Sequence, residues 1–266
     1  MICFPNAKIN LGLHIIEKRS DGYHSIETIF YPIPFTDALE AVKSEKKSFK
    51  QTGIKLDSSP EDNLVMKAYE LMTKNFNIPP LDIYLKKTIP SGAGLGGGSA
   101  DAAFAIKLIN DLCECNIPED KLEKIAASIG ADCPFFIQNK PVIATGTGNI
   151  FKPSDISLKG YTIIVVKPPV AVSTKEAYSN VKPQKPEFSL EKLSSLPIIE
   201  WRGTLKNDFE QSVFEKYPVI GEIKDELYSL GAKYAAMSGS GSSVFGLFKN
   251  TISPKFSNCF VWKGTM

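Results

Sequence analysis

In Leu81, Ile83 and Leu85 apolar side chains alternate with Asp82, Tyr84 and Lys86, the two-residue period of a strand with one face buried. Beyond a glycine-rich stretch, Phe104, Leu108 and Leu112 recur every four positions with Ala105 and Ile109 alongside, which is one face of a helix. The glycines therefore connect a strand to a helix. Further helices are predicted over 61–76 and over 118–129, the latter with Glu119 and Asp120 in its first turn and Gly130 as its stop. A helical pattern over 213–230 is interrupted by Pro218, and 161–166 and 244–248 read as strands. Residues 182–186, with two prolines and no period, read as a surface loop. Helical and strand patterns mix without strict βαβ alternation, which predicts an α+β fold.

Composition narrows the picture. A chain of 266 residues, 43% hydrophobic and 23% charged, buries a core without metal or disulfide staples. The net charge is +2, and all basic residues but Arg19 and Arg202 are scattered lysines, so no nucleic-acid partner is expected. Cys3, Cys113, Cys115, Cys133 and Cys259 form no CxxC pair, and only His14 and His24 are present. Free thiols are expected, with no metal-ligating residues. No signal peptide and no run of 18 apolar residues is seen, so a soluble, cytoplasmic protein without a membrane partner is expected.

The chemistry concentrates in residues 90–103, PSGAGLGGGSADAA. A glycine-rich turn that opens a helix leaves backbone N–H groups unpaired at the positive end of the helix dipole, which favours an anion. Ser99 is placed to cap that helix and to offer a hydroxyl to a phosphate or its metal ion. A Walker A loop would need lysine after its last glycine, whereas Gly97 is followed by Gly98 and Ser99. Residues 92–97 fit GxGxxG formally, but Glu119 and Asp120, at the distance of the ribose-binding acid, begin a helix.

Phosphoryl transfer also needs a carboxylate near a cation. Asp132 lies in GADCPFF between Gly130 and Pro134, at a bend. Lys8 and Asn10, in PNAKINLGL, share one face of a predicted strand, with Ile9 and Leu11 on the other. Asp21-Gly22 is a turn signal that presents Tyr23 and His24, a pair suited to stack on a nucleobase and bond its edge. By pattern alone each has a plainer reading: a turn residue before proline, solvent-facing strand residues, a structural histidine.

The string 90–103 resembles the phosphate-binding motif of the GHMP kinases, small-molecule kinases of galactose, homoserine, mevalonate and relatives. PNAKINLGL, DGYH, GADCPFF, Val172-Ser-Thr-Lys-Glu-Ala-Tyr, Asn207-Asp-Phe-Glu and Met237-Ser-Gly-Ser-Gly-Ser-Ser are similar to further segments of one branch of that superfamily. That branch uses ATP to phosphorylate the 2-hydroxyl of a cytidine diphosphate-linked methylerythritol in non-mevalonate isoprenoid synthesis. The resemblance runs from about residue 5 to 248. It implies two α+β halves, 1–155 (ATP-binding) and 156–266, with the active site in the cleft between them, and a monomer or homodimer.

The resemblance also implies the parts. Asp132 is the expected base, with Lys8 as the cation that holds it and stabilises the alkoxide. Pro90, Ser91, Gly92, Ala93, Gly94, Leu95, Gly96, Gly97, Gly98 and Ser99 are expected to cradle the phosphates of ATP, with Mg²⁺ bound. Asn10, Tyr23, His24 and Thr174 are expected to contact the acceptor, and Asn63 and Leu64 to border the adenine pocket. Three departures stand out. Asp101 replaces a common asparagine, Ala93 a common glycine or serine, and Phe209 a leucine. The extra charge of Asp101 is expected to weaken ATP binding unless it faces away. Two alternatives remain at this level: a GHMP kinase with another alcohol acceptor, and a nucleotide-binding protein without catalysis. Neither Lys8 nor Asp132 is needed by a pure binder.

Overall fold

The chain opens with a short strand, β1 (Ile2–Cys3), and two long ones, β2 (Asn6–Lys18) and β3 (His24–Thr36). β4 (Ala38–Lys43), β5 (Ser48–Gly53), α1 (Leu64–Asn75), β6 (Leu81–Lys87) and α2 (Gly97–Leu112) follow. Then α3 (Glu119–Ala127) and α4 (Cys133–Gln138) lead to β7 (Val142–Thr145) and β8 (Ile150–Pro153). The last elements are β9 (Thr162–Lys167), α5 (Thr174–Ser179), α6 (Glu210–Lys216), α7 (Pro218–Ser229), β10 (Tyr234–Met237), β11 (Val244–Phe248) and β12 (Phe260–Thr265). The computed structural model describes residues 1–55, 59 and 62–266. Glu61, the expected start of the helix that becomes α1, lies outside them.

These elements sort into two compact units: residues 1–7, 35–91 and 96–140 in the first, and 8–34, 92–95 and 141–266 in the second. In the first unit the sheet order is β1-β4-β6-β5, with β5 parallel to β6 and the other pairs antiparallel. Leu81, Ile83 and Leu85 are buried there, as their alternation predicts. α2 turns a face of alanines, Ile106, Leu108 and Ile109 inward, small enough for helices to pack closely against it. α3 starts one residue after Pro118, whose fixed φ suits a helix entry.

The second unit contains two four-stranded sheets, β2-β3-β7-β8 and β10-β11-β9-β12. β9 is paired on both sides, with β11 and β12, and its run of Ile and Val is fully buried. α6 ends at Lys216 and α7 begins at Pro218, because proline lacks an N–H and its ring clashes with the preceding turn. The core here gathers Leu13, Ile15, Phe209, Val213, Ile223 and Val244 among others. All five cysteines are free. Among the described residues no helix is long and apolar enough to cross a membrane.

One outcome differs from the one-sided strand expected around Lys8. Both faces of β2 are covered: Ile9 and Leu11 are fully buried, and Lys8 and Asn10 are 4% and 2% exposed. Phe209, 2% exposed, stands edge-on to Tyr178 with ring centroids 4.8 Å apart. Phe209→Ala is expected to cost about 3–5 kcal/mol through the cavity it leaves, and Phe209→Leu less than about 1.5 kcal/mol. Urea unfolding of both variants tests this, and equal losses would show that the ring's volume is not what the core needs.

Candidate active site

In the second unit, residues Gly92–Leu95 of the glycine loop are pinned through their carbonyls. Ser243 N–H donates to Ala93 O (3.2 Å) and Lys8 N–H to Leu95 O (2.9 Å), while the Ser238 hydroxyl donates to Gly94 O (2.8 Å). Gly94 has φ +73°, and a β-carbon there would lie 1.9 Å from Ser238 O, a clash of backbone with backbone. Only glycine fits. The Ser-Gly turn read from sequence at 237–243 is thus the seat of the arch that the glycine loop forms.

The turn is held in its place by the Asn207-Asp-Phe-Glu segment. Asn207 Nδ2 donates to both Met237 O and Gly239 O at 2.8 Å, and its Oδ1 accepts from Phe209 N–H. Glu210 accepts from Met237 N–H through one oxygen and pairs with Lys224 through the other. Asp208 accepts from Ile15 N–H at 2.8 Å, which ties the same segment to β2. A buried amide with both ends engaged is costly to replace.

On β2 the Lys8 ammonium donates to Asn10 Oδ1 (2.7 Å) and lies 4.9 Å from the centre of the Phe30 ring. Asn10 Nδ2 donates in turn to Thr28 Oγ1 (2.9 Å), whose hydroxyl donates to Gly12 O. The shared strand face predicted for Lys8 and Asn10 is therefore a hydrogen-bonded pair rather than surface decoration. Burial of the ammonium fixes it in one position.

The turn at Asp21-Gly22 forms with Asp21 accepting from Tyr23 N–H (3.0 Å). Tyr23 is 68% exposed. His24 is not partnered by Tyr23 but by Tyr178, ring on ring at 4.8 Å and 21°. Burial and nearby Lys18 push the imidazole below its usual range, so it is neutral near pH 7, with one donor and one acceptor nitrogen. Tyr178 closes the segment 172–178 quoted above, yet nothing local marks it as an aromatic platform. Thr174 opens α5, is exposed, and its hydroxyl is 3.4 Å from that of Ser240 in the Ser-Gly turn.

In the first unit, Gly96 caps α2 in the left-handed conformation (φ 70°) and no side chain bonds the helix start. Ser99 was expected as the cap; it stands three residues past it, because Gly97 and Gly98 are already helical. Its hydroxyl acts instead on the Cys133 thiol, which it lowers. At the head of α4 Asp132 sits half-buried as the cap residue. Burial pushes the Cys133 thiol up to about 11, with the Ser99 bond opposing. Asn63 spends its side chain on the start of α1, accepting from Val65 N–H, and Leu64 would lie 3.5 Å from a β-carbon on Gly98. Asp101 is 2% exposed and paired with Lys87 at 2.6 Å, so its charge does not stand free beside the loop.

The second unit also has an open cavity of about 930 Å³, lined by Asn180, Lys182, Lys206, Asp208, Glu210 and Lys216 among others. It contains none of the residues expected to act in catalysis or to bind ATP or the acceptor. Asp208 and Glu210 on its wall are engaged in mounting the Ser-Gly turn, and we assign the cavity no chemistry.

Comparison with known proteins bears on these parts together. Residues 63–140 match the N-terminal domain model of the GHMP kinases and residues 198–255 the C-terminal one. The chain is similar to the 4-diphosphocytidyl-2-C-methyl-D-erythritol kinase of Parabacteroides distasonis, 61% identical over the whole of both chains. The enzyme of that name from Bacteroides fragilis is 60% identical over 93% of this chain and 92% of its own. A crystal structure of 4-(cytidine 5'-diphospho)-2C-methyl-D-erythritol kinase superposes with TM-score 0.80 at 31% identity, covering 93% of this chain and 90% of that one.

Two substitutions test the geometry. Gly94→Ala is expected to destabilise by more than Gly92→Ala, which has φ +60° but nothing within 4 Å of a β-carbon. The backbone strain common to both is about 1–2 kcal/mol, so chemical denaturation should separate them by the clash alone; equal losses would mean the arch yields at Ser238. Asp101→Asn tests the buried carboxyl, which burial, reinforced by Asp37 and opposed by Lys87, pushes from 3.8 to about 8. The folded state then holds a proton that the unfolded state has released, so the unaltered protein loses stability as pH rises from about 4 through 8. Asn lacks that loss, and the melting-temperature difference between variant and parent should grow in the variant's favour across that window; a constant difference would refute the shift.

Proposed function

The chain belongs to the GHMP kinases, within the family of 4-diphosphocytidyl-2-C-methyl-D-erythritol kinases, and from that premise we propose its reaction and the residues that carry it. It transfers the terminal phosphoryl group of ATP to the 2-hydroxyl of 4-diphosphocytidyl-2-C-methyl-D-erythritol, giving the 2-phosphate and ADP, a step of non-mevalonate isoprenoid synthesis. Such transfer asks little covalent chemistry of a protein; positioning and charge cover do most of it.

The observation that carries the reading is the start of α2: Gly96 ends the glycine loop in the left-handed conformation, and the first N–H groups of the helix have neither a side-chain cap nor a helix partner. In the proposal the loop Pro90–Ser99 holds the phosphates by backbone N–H groups and the helix dipole. Asp132 orients the acceptor hydroxyl and takes its proton, and Lys8, steadied by Asn10, stabilises the oxygen as charge develops. His24, neutral and backed by Tyr178, bonds the cytosine edge; Tyr23 covers the base, and Thr174 contacts the acceptor. Magnesium belongs to the proposal as the companion ion of ATP. Among the described residues no group of three His, Cys, Asp or Glu is gathered to hold a metal, so the triphosphate itself and the Ser99 hydroxyl are the fitting ligands, and the ion supplies charge neutralisation.

ADP release measured with ATP and Mg²⁺, offering the cytidyl erythritol beside galactose, homoserine and mevalonate, tests acceptor and reaction at once. Turnover with the first alone is expected; turnover with another alcohol would transfer the assignment to that acceptor. Asp132→Asn should keep ATP binding and lose about 10²–10⁴-fold in kcat. A near-normal kcat would remove Asp132 from the mechanism.

A further inference from the structure

β6 delivers the chain into the glycine loop, and α2 receives it on the other side. Three ionisable side chains sit where these two stems meet: Asp37, Lys87 and Asp101, each no more than 2% exposed. Lys87, the last residue of β6, donates to Asp37 Oδ2 and to Asp101 Oδ2, the latter at 2.6 Å. The other oxygen of Asp37 accepts from Thr88 N–H (2.5 Å) and Ile89 N–H (2.9 Å), the two residues directly before Pro90. Asp37 is itself held, through its own N–H to Pro5 O at 2.8 Å. One carboxylate therefore grips the stem that enters the loop, and one ammonium carries that grip across to the helix that leaves it.

The stems are also in steric contact. A β-carbon on Gly97 would lie 2.8 Å from Ile89 Cγ2 and 3.4 Å from Lys87 Nζ, so α2 begins as close to the entering stem as a glycine permits. Lys87 is spent on carboxylates and buried, which makes it a strut rather than a phosphate ligand. Buried ion pairs seldom stabilise more than apolar residues of the same volume; their best-attested use is to specify one arrangement.

Resting on the reading of Pro90–Ser99 as the ATP phosphate cradle, we propose that the Asp37–Lys87–Asp101 triad is a set of positioning residues that fixes the aperture of that cradle and so sets the affinity for the nucleotide. The charge balance agrees with this. Burial holds a proton on Asp101 near neutral pH. The groups facing that carboxyl are Lys87 and Asp37, and its charge is also felt at Cys3 on β1. With that proton in place Asp101 adds no negative charge under the helix start. The asparagine-to-aspartate departure at 101 thus carries none of the expected penalty on ATP.

The test is steady-state kinetics on the full chain with Asp101→Ala, Lys87→Met and Asp101→Asn, alongside direct ATP binding by the unaltered protein and by Gly94→Ala. Asp101→Ala and Lys87→Met are expected to raise KM for ATP about 10- to 100-fold, the effect of a misplacement on the ångström scale. KM for the cytidyl acceptor should stay within about twofold. Asp101→Asn, which keeps an oxygen for Lys87, should restore KM for ATP to near the parent value. A folded Asp101→Ala with KM for ATP unchanged, or one raising both KM values alike, would overturn the proposal, and so would failure of Asn to rescue. Lys87→Met is the variant most exposed to misfolding, and the Asp101 pair decides without it. The unaltered protein binding ATP while Gly94→Ala does not isolates the cradle from the triad; no ATP binding by the unaltered protein would overturn both.

Discussion

The carbonyl oxygen of Ser238 stands where the β-carbon of any residue other than glycine at position 94 would go. Much of the second unit is arranged around that one approach of backbone to backbone. The Ser238 hydroxyl reaches back to the carbonyl of the same glycine, while Ser243 N–H takes the carbonyl of Ala93 and Lys8 N–H that of Leu95. Packing this close has no slack, since protein interiors answer displacement by rearranging rather than by stretching. The arch of the glycine loop is therefore a rigid feature built from three separate stretches of chain.

What keeps Ser238 there is a second layer made of polar side chains. Asn207 and Glu210 serve backbone groups on both sides of the turn, and Asp208 between them serves β2. Each side chain satisfies main-chain groups that the turn cannot pair within itself, the usual need of an irregular buried segment. Phe209 drives the same segment into the core, so anchoring and capping are done by four consecutive residues. The shape of the loop then depends on residues far from it in the chain.

Local order was the legible part of this chain. β6, α2, the break at Pro218 and β11 follow from periodicity and proline chemistry within a few residues. So does the shared strand face of Lys8 and Asn10. Their depth did not follow, because burial on both faces of β2 depends on elements far along the chain. Ser99 was misread as a cap because serine is the commoner choice, whereas a left-handed glycine ends the loop one turn earlier. Tyr178 and Asp37 carry no local signal at all. Each acquires its place from a partner more than a hundred or about fifty residues away, and the spacing of a single sequence does not encode such pairings.

Cys133 follows directly after Asp132 and, as the first residue of α4, sets a sulfur at the head of that helix. Its thiol, pushed up to about 11 by burial, carries a thiolate in only about one molecule in 10⁴ at neutral pH. Peroxides and alkylating reagents attack the thiolate of an accessible sulfur, and this one offers neither. The sulfur beside the carboxylate is packing material, so oxidative stress and cysteine-directed inhibitors have no covalent foothold at Cys133.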